Sequence, residues 1–112
     1  MKILIIGANS LLGVNMINLL SEENTIYALI RDRNVIKFNL NDNIVVVESD
    51  LINCNFNTLP SDIDCIYYLA QSNKFRDFPN SYEDIFSINV HIPLKFAQWA
   101  MQNKIKKLFY AS

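Results

Sequence analysis

The chain has 112 residues, 51% of them hydrophobic and 19% charged, with a formal net charge of −1. That length holds one domain and lets folding bury roughly 60–70% of the unfolded chain's surface, while the apolar content excludes a disordered chain. The near-neutral balance gives no broad attraction for nucleic acid or anionic lipid, no apolar stretch approaches the ~20 residues that span a bilayer, and the N-terminus lacks a leader pattern, so a cytoplasmic protein is expected.

Apolar runs and periodicity predict alternating strands and helices. Lys2–Ile6 reads as a buried strand, and Leu11–Leu20 as a helix with Leu12, Met16, Leu19 and Leu20 on one face. Thr25–Ile30 and Ile44–Val47 are two further short, β-rich strands. Pro60-Ser61-Asp62 is a turn leading into a fourth strand, Ile63–Leu69. A long helix is expected from near Ser81 to about Gln102, with the Ser81 hydroxyl as its cap and Glu83 and Asp84 against its positive end. Lys104, Lys106 and Lys107 complement its negative end. Pro93 removes one amide donor, frees the carbonyl of Asn89 and predicts a kink. Lys107–Ala111 is the fifth strand.

Continuous apolar strands of this kind are buried on both faces in parallel sheets. The fold class expected is therefore α/β, a doubly wound parallel sheet of five strands in the order 3-2-1-4-5.

The two glycines of the chain, Gly7 and Gly13, stand six residues apart between the first strand and the first helix. One permits a tight turn and the other lets a helix lie close to a sheet, which leaves the amides of the first helical turn facing an anion such as a pyrophosphate. The pattern Gly7-x-x-Ser10-x-x-Gly13 lacks a middle glycine, and the Ser10 hydroxyl has two uses, capping the helix or bonding a phosphate oxygen. A tight turn without a ligand is the plainer alternative. The second strand ends in ALIRDRN, where Arg31 and Arg33 suit a 2′-phosphate and Asp32 suits free ribose hydroxyls. Arg31 follows the strand directly, which tilts the reading between NAD and NADP toward NADP. Cys54 and Cys65 lack metal or redox spacing and are expected to be reduced, and the single histidine, His91, suggests no ligand, so no metal site is expected.

In these motifs the chain resembles the extended short-chain dehydrogenase/reductase family, the NAD(P)-dependent nucleotide-sugar epimerases and dehydratases, along its whole length. KILIIGANSLLG is similar to that family's opening loop, and ESDL at Glu48–Leu51 to its acidic motif on the adenine side. DCIYYLAQS at Asp64–Ser72 resembles the fourth strand whose end lines the cofactor, IFSINV the helix motif bearing Asn89, and KIKKLFYAS the fifth strand before the catalytic serine. The resemblance implies a Rossmann-like fold, with Gly7, Ser10, Leu11, Leu12, Gly13, Arg31, Asp50, Leu51, Leu69, Ala70, Gln71, Asn89 and Ser112 toward the cofactor. Tyr68 stands where the family usually has histidine, a change expected to affect packing.

The family's reaction uses a tyrosine activated by a lysine four residues later. Here Tyr27, Tyr67, Tyr68 and Tyr82 are followed at that distance by Arg31, Gln71, Ser72 and Phe86, so no Tyr-x-x-x-Lys pair occurs and no catalytic residue is named. The expectation is the N-terminal, cofactor-binding portion of a longer enzyme acting on a nucleotide sugar, inert by itself. The alternative is a non-catalytic NAD(P)-sensing or protein-interaction module. The helix 82–102 is apolar on more than one face, a surplus that either a second copy of the chain or the remainder of a longer enzyme would cover, and the edge of strand 107–111 likewise invites pairing with another chain.

Overall fold

In the computed structural model, which describes residues 1–71, 77 and 79–111, five strands form one sheet. They are β1 (Lys2–Ile6), β2 (Thr25–Ile30), β3 (Ile44–Glu48), β4 (Cys65–Tyr68) and β5 (Lys107–Tyr110), ordered β3-β2-β1-β4-β5. Every pairing is parallel, with Ile5 of β1 opposite Ala28 on one side and Tyr67 on the other. This is the architecture expected from the continuous apolar strands.

Alternation along the strands divides the core into two layers. Leu4, Ile6, Leu29, Ile66 and Tyr68 face one side, against Ile92, Phe96 and Trp99 of a helix. Ile3, Ile5, Ile26, Ala28, Ile30 and Cys65 face the other, against Ile17 and Phe38. Both faces of β1 are therefore dry, and its four residues from Ile3 to Ile6 are buried to 1% exposure or less.

Helix α1 (Leu11–Leu20) buries Gly13 and Ile17. The stripe expected through Leu12 and Leu19 is not the buried one, since these are 50% and 77% exposed. Close approach to the sheet is possible only where the helix carries no side chain, so Gly13 sets the rotation and turns Leu12 and Leu19 outward. The connection 31–43 contains no helix and is pinned by asparagine amides. Lys37 N–H donates to Asn9 Oδ1 (2.9 Å), Asn39 N–H to Asn18 Oδ1 (3.2 Å), and Asn43 Nδ2 to the Ser21 carbonyl (2.7 Å). Phe38 from this segment, 5% exposed, fills the layer beside α1.

The long helix is broken into α2 (Tyr82–Phe86), a π turn (Ser87–His91) and α3 (Ile92–Gln102). The irregularity expected at Pro93 thus lies one turn earlier, as a widened loop of backbone. Ser81 makes no side-chain cap; its hydroxyl donates instead to Asp77 Oδ2. Lysines are absent from the last turn of α3, and Lys104 adopts a left-handed conformation (φ 57°) just beyond it. There Lys104 N–H donates to the Met101 carbonyl and Ile105 N–H to the Ala100 carbonyl, which closes the helix end. The fourth strand is shorter than expected, Cys65–Tyr68, although the Leu69 N–H still donates to the Ile6 carbonyl (2.8 Å).

Candidate functional site

The site is built where β1 ends. Gly7 takes φ +84°, a conformation that L side chains rarely adopt, and a Cβ there would lie 2.6 Å from the amide nitrogen of Ala70. The chain turns at this point, and Ser10 N–H donates to the Gly7 carbonyl (3.0 Å). Ser10 is the N-cap of α1: its hydroxyl accepts from Gly13 N–H (3.1 Å) and donates to the Gly7 carbonyl (2.7 Å). Of the two uses open to that hydroxyl, the capping one is the geometry adopted. Gly13 lies so close beneath the turn that a Cβ would meet the Gly7 carbonyl oxygen at 2.5 Å. The amides of Leu11 and Leu12 open the helix, where helix geometry offers them no carbonyl of their own.

Beyond this turn a cleft of about 480 Å³ runs across the C-terminal ends of the strands. The glycine turn contributes Gly7, Ala8, Asn9 and Ser10, the end of β2 contributes Leu29 and Ile30, and Arg31 and Asp32 follow it. Ser49, Asp50, Leu51 and Ile52 follow β3, Ala70 and Gln71 follow β4, and Asp84 and Ile88 come from the helix above. Val35 and Lys37 complete the wall. Asn9 holds that wall in place, because its amide donates to the Val35 carbonyl (2.5 Å) while its oxygen accepts Lys37 N–H.

Seven of the residues expected at the cofactor line this cleft: Gly7, Ser10, Arg31, Asp50, Leu51, Ala70 and Gln71. Leu11, Leu12, Gly13 and Leu69 lie outside its lining; Gly13 and Leu69 are buried in the packing beneath it, and Leu11 is 83% exposed. Asn89 lies in the π turn and borders a separate groove with Tyr82, Phe86 and Val90. Ser112 lies outside the described residues. Asn9, Lys37, Asp84 and Ile88 were missed by sequence reasoning. Asn9 stands between the two glycines, a position that is the one sequence signal for it; the other three reach the cleft only through tertiary packing.

The charges around β2 are sorted by their partners. Asp32 Oδ1 accepts Asn34 N–H (2.9 Å), and Glu48 Oε2 accepts Arg33 N–H (2.6 Å). The Arg33 guanidinium turns toward β3 and donates to the Val46 carbonyl (3.2 Å). Asp50 accepts from Ile52 N–H (3.2 Å) and Asn53 Nδ2 (3.3 Å). Arg31 and Lys37 remain as the cations of the cleft wall. Among the described residues no group of three His, Cys, Asp or Glu side chains could hold a metal ion, both cysteines are free, and no helix is long and apolar enough to cross a membrane. Burial, with Asp64 nearby, pushes the Cys65 thiol above its ordinary range.

A tight glycine turn into a helix, under a cleft at the strand ends beside the switch in strand order, defines a nucleotide-binding α/β domain of the Rossmann class. Residues 3–112 match the model of the NAD-dependent epimerase/dehydratase family, and the chain belongs to that family. No curated protein matches the chain. Among solved structures it is similar to a UDP-N-acetylglucosamine 4-epimerase from Methanobrevibacter ruminantium in complex with UDP-N-acetylmuramic acid (TM-score 0.84, 17% identity, 96% of this chain and 36% of that one). It is also similar to a UDP-glucuronic acid 4-epimerase from Bacillus cereus, in a complex that holds NAD (TM-score 0.82, 18% identity, 98% and 39%). A third is the Bordetella bronchiseptica enzyme WbmH in complex with NAD⁺ (TM-score 0.79, 19% identity, 96% and 37%). The chain therefore spans between a third and two-fifths of the length of these structures.

Proposed function

We propose that the chain is the NAD(P)-binding portion of a nucleotide-sugar epimerase or dehydratase, a cytoplasmic oxidoreductase, and that these 112 residues bind cofactor without turning over a sugar. The observation that carries this reading is the cradle at Gly7 and Gly13, which any Cβ would fill with contacts below 3.0 Å and which opens onto the cleft. The turn at Gly7 and the opening amides of α1 would hold the pyrophosphate, Asp50 and Leu51 the adenine side, and Ala70 and Gln71 the other nucleotide. The cofactor, when bound, supplies a hydride acceptor; the tyrosine and lysine that would move the matching proton do not occur as a pair within the chain.

Two features support the lean to NADP over NAD. Arg31 and Lys37 present two cations to this wall, and one oxygen of Asp32, the residue that would accept from ribose hydroxyls, already accepts the Asn34 amide. A 2′-phosphate is the group those cations recognise best. Thermal melting with millimolar NAD⁺, NADP⁺, NADH and NADPH tests both parts. A ligand at 100 times its dissociation constant stabilises by about 2.7 kcal/mol, so the midpoint should rise, and rise most with the NADP forms. No shift with any of the four overturns the proposal, and a loss of the NADP preference should follow from Arg31→Ala with Lys37→Ala. A second copy of the chain is the partner best suited to the exposed row Tyr82, Phe86, Val90 and Leu94, each at least 42% exposed. Light scattering of wild type against Phe86→Glu reads that association.

A further inference from the structure

Residues 31–43 cross from β2 to β3 without a helix, yet part of this connection alternates as a strand does. Ile36 and Phe38 pack into the layer beside α1, while Val35 and Lys37 line the cleft. An extended segment with no neighbour leaves its amides and carbonyls without a ladder. Asn9 supplies one rung of it. Its Nδ2 donates to the Val35 carbonyl at 2.5 Å, and its Oδ1 accepts Lys37 N–H at 2.9 Å. Those two groups flank Ile36, the spacing at which a neighbouring strand's peptide pairs in a parallel ladder. Asparagine is the shortest side chain that carries an amide donor and an acceptor in one plane, so a single residue stands in for that peptide.

The other ties of this segment act elsewhere. Arg33 binds Glu48 through its N–H and the Val46 carbonyl through its guanidinium, both on the β3 side. Val35 N–H donates to the Asp32 carbonyl (3.0 Å), within the turn itself, and Asn39 N–H donates to Asn18 of α1 (3.2 Å). Packing of Ile36 and Phe38 decides which face of the segment meets the cleft. Among the described residues, the two hydrogen bonds that join 34–37 to the glycine turn are both made by Asn9, so they set how far Lys37 stands from that turn. Asn9 does this with an ordinary backbone, for among the described non-glycine residues only Lys104 has a positive φ. Its side chain can therefore be removed without straining the turn that carries it.

We propose that Asn9 is the positioning residue for cofactor choice: its side-chain amide holds 35–37 against the glycine turn and thereby presents Lys37, beside Arg31, to the 2′-phosphate of NADP. This rests on reading the cleft as a dinucleotide site with a lean to NADP. A lysine ammonium is a point charge on a flexible stem, so where its backbone is held decides how much of its time is spent within reach of a phosphate. The position of Arg31 follows from β2, which it directly succeeds. That of Lys37 depends on Asn9 as well as on the packing of its neighbours.

The test is a double-mutant cycle of Asn9→Ala and Lys37→Ala, read by calorimetry with NADP⁺ and NAD⁺. Asn9→Ala should weaken NADP⁺ binding by about fivefold to tenfold, in the range of the two bonds removed, and leave NAD⁺ binding within about twofold. In the Lys37→Ala background the same substitution should change NADP⁺ affinity by less than about twofold, because the side chain through which Asn9 acts is gone. No loss of NADP⁺ affinity, equal losses for the two cofactors, or an undiminished effect in the Lys37→Ala background overturns the proposal, as does a wild-type protein that binds NAD⁺ as tightly as NADP⁺. A wild type that binds neither overturns the dinucleotide reading instead. Amide hydrogen exchange at Lys37 then decides the clamp: it should accelerate in Asn9→Ala with exchange in β1 unchanged, and equal rates refute it. Asn9→Ser, whose hydroxyl is too short to hold both groups, carries the same comparison if the alanine variant fails to fold.

Discussion

Gly7→Ala isolates the turn on which the cleft is built. Two costs add. The backbone sits at φ +84°, and holding an L side chain in a left-handed conformation costs about 1–2 kcal/mol. The new Cβ would stand 2.6 Å from Ala70 N, 2.8 Å from Ala70 Cα and 2.9 Å from the Leu69 carbonyl carbon, all of them backbone. That backbone has little room to retreat, since Leu69 N–H donates to the Ile6 carbonyl at 2.8 Å and Ala111 N–H to the Tyr68 carbonyl at 3.1 Å. Overpacking against a fixed wall costs about 1–3 kcal/mol, so the total is about 2–5 kcal/mol against the 5–15 kcal/mol that holds a typical domain. Urea unfolding followed by circular dichroism should show a midpoint reduced accordingly at unchanged m value, and melting should fall by about 8–20 °C at roughly 4 °C per kcal/mol. Gly13→Ala is the comparison: its Cβ would meet the Gly7 oxygen at 2.5 Å but at ordinary helical φ, and alanine's helix advantage of about 1 kcal/mol offsets part of the clash. A Gly7→Ala protein within about 1 kcal/mol of wild type, or one less destabilised than Gly13→Ala, refutes the reasoning.

Two further outcomes are expected. Lys104→Gly relieves a left-handed lysine at φ 57° in the closure of α3 and should raise stability by about 0.5–1 kcal/mol in the same urea assay, since glycine accepts that conformation without strain; a loss of stability would contradict the assignment of that helix end. Burial, and secondarily the neighbouring Tyr110, pushes the Tyr68 phenol well above its ordinary value of 10.0, so the folded state keeps a proton there that the unfolded state releases. Its contribution is therefore whole below pH 10.0 and is lost as pH rises from there toward the folded value, at up to about 1.4 kcal/mol per pH unit; unfolding free energies measured from pH 9 to 11 should show this decline in wild type and a shallower one in Tyr68→Phe.

The sheet was legible in the sequence because its central strands β1, β2 and β4 are apolar runs buried within the layers, while the edge strands β3 and β5, half-buried or exposed, are still rich in β-branched and aromatic residues. Lys2–Ile6, Leu11–Leu20 and Thr25–Ile30 have the bounds expected of them. The rotation of α1 was not legible: Leu12 and Leu19 are as apolar as Ile17, and the choice among them follows from where Gly13 meets the Gly7 carbonyl. Likewise Ser81 has a good capping side chain, but Asp77 competes for its hydroxyl.

What the sequence by itself determined is the order of the strands, the turn at Gly7 and the loss of a donor at Pro93, because each depends on local apolar patterning or on the covalent nature of one residue. Tertiary structure alone decided what answers that loss and what walls the cleft. The Tyr68 and Tyr110 hydroxyls donate to the Ile88 and Asn89 carbonyls about twenty residues of chain away, and Lys37 is held at the glycine turn by Asn9 of that turn. Such contacts join segments with no shared periodicity, so they exist only once the sheet has set the distances between its strand ends.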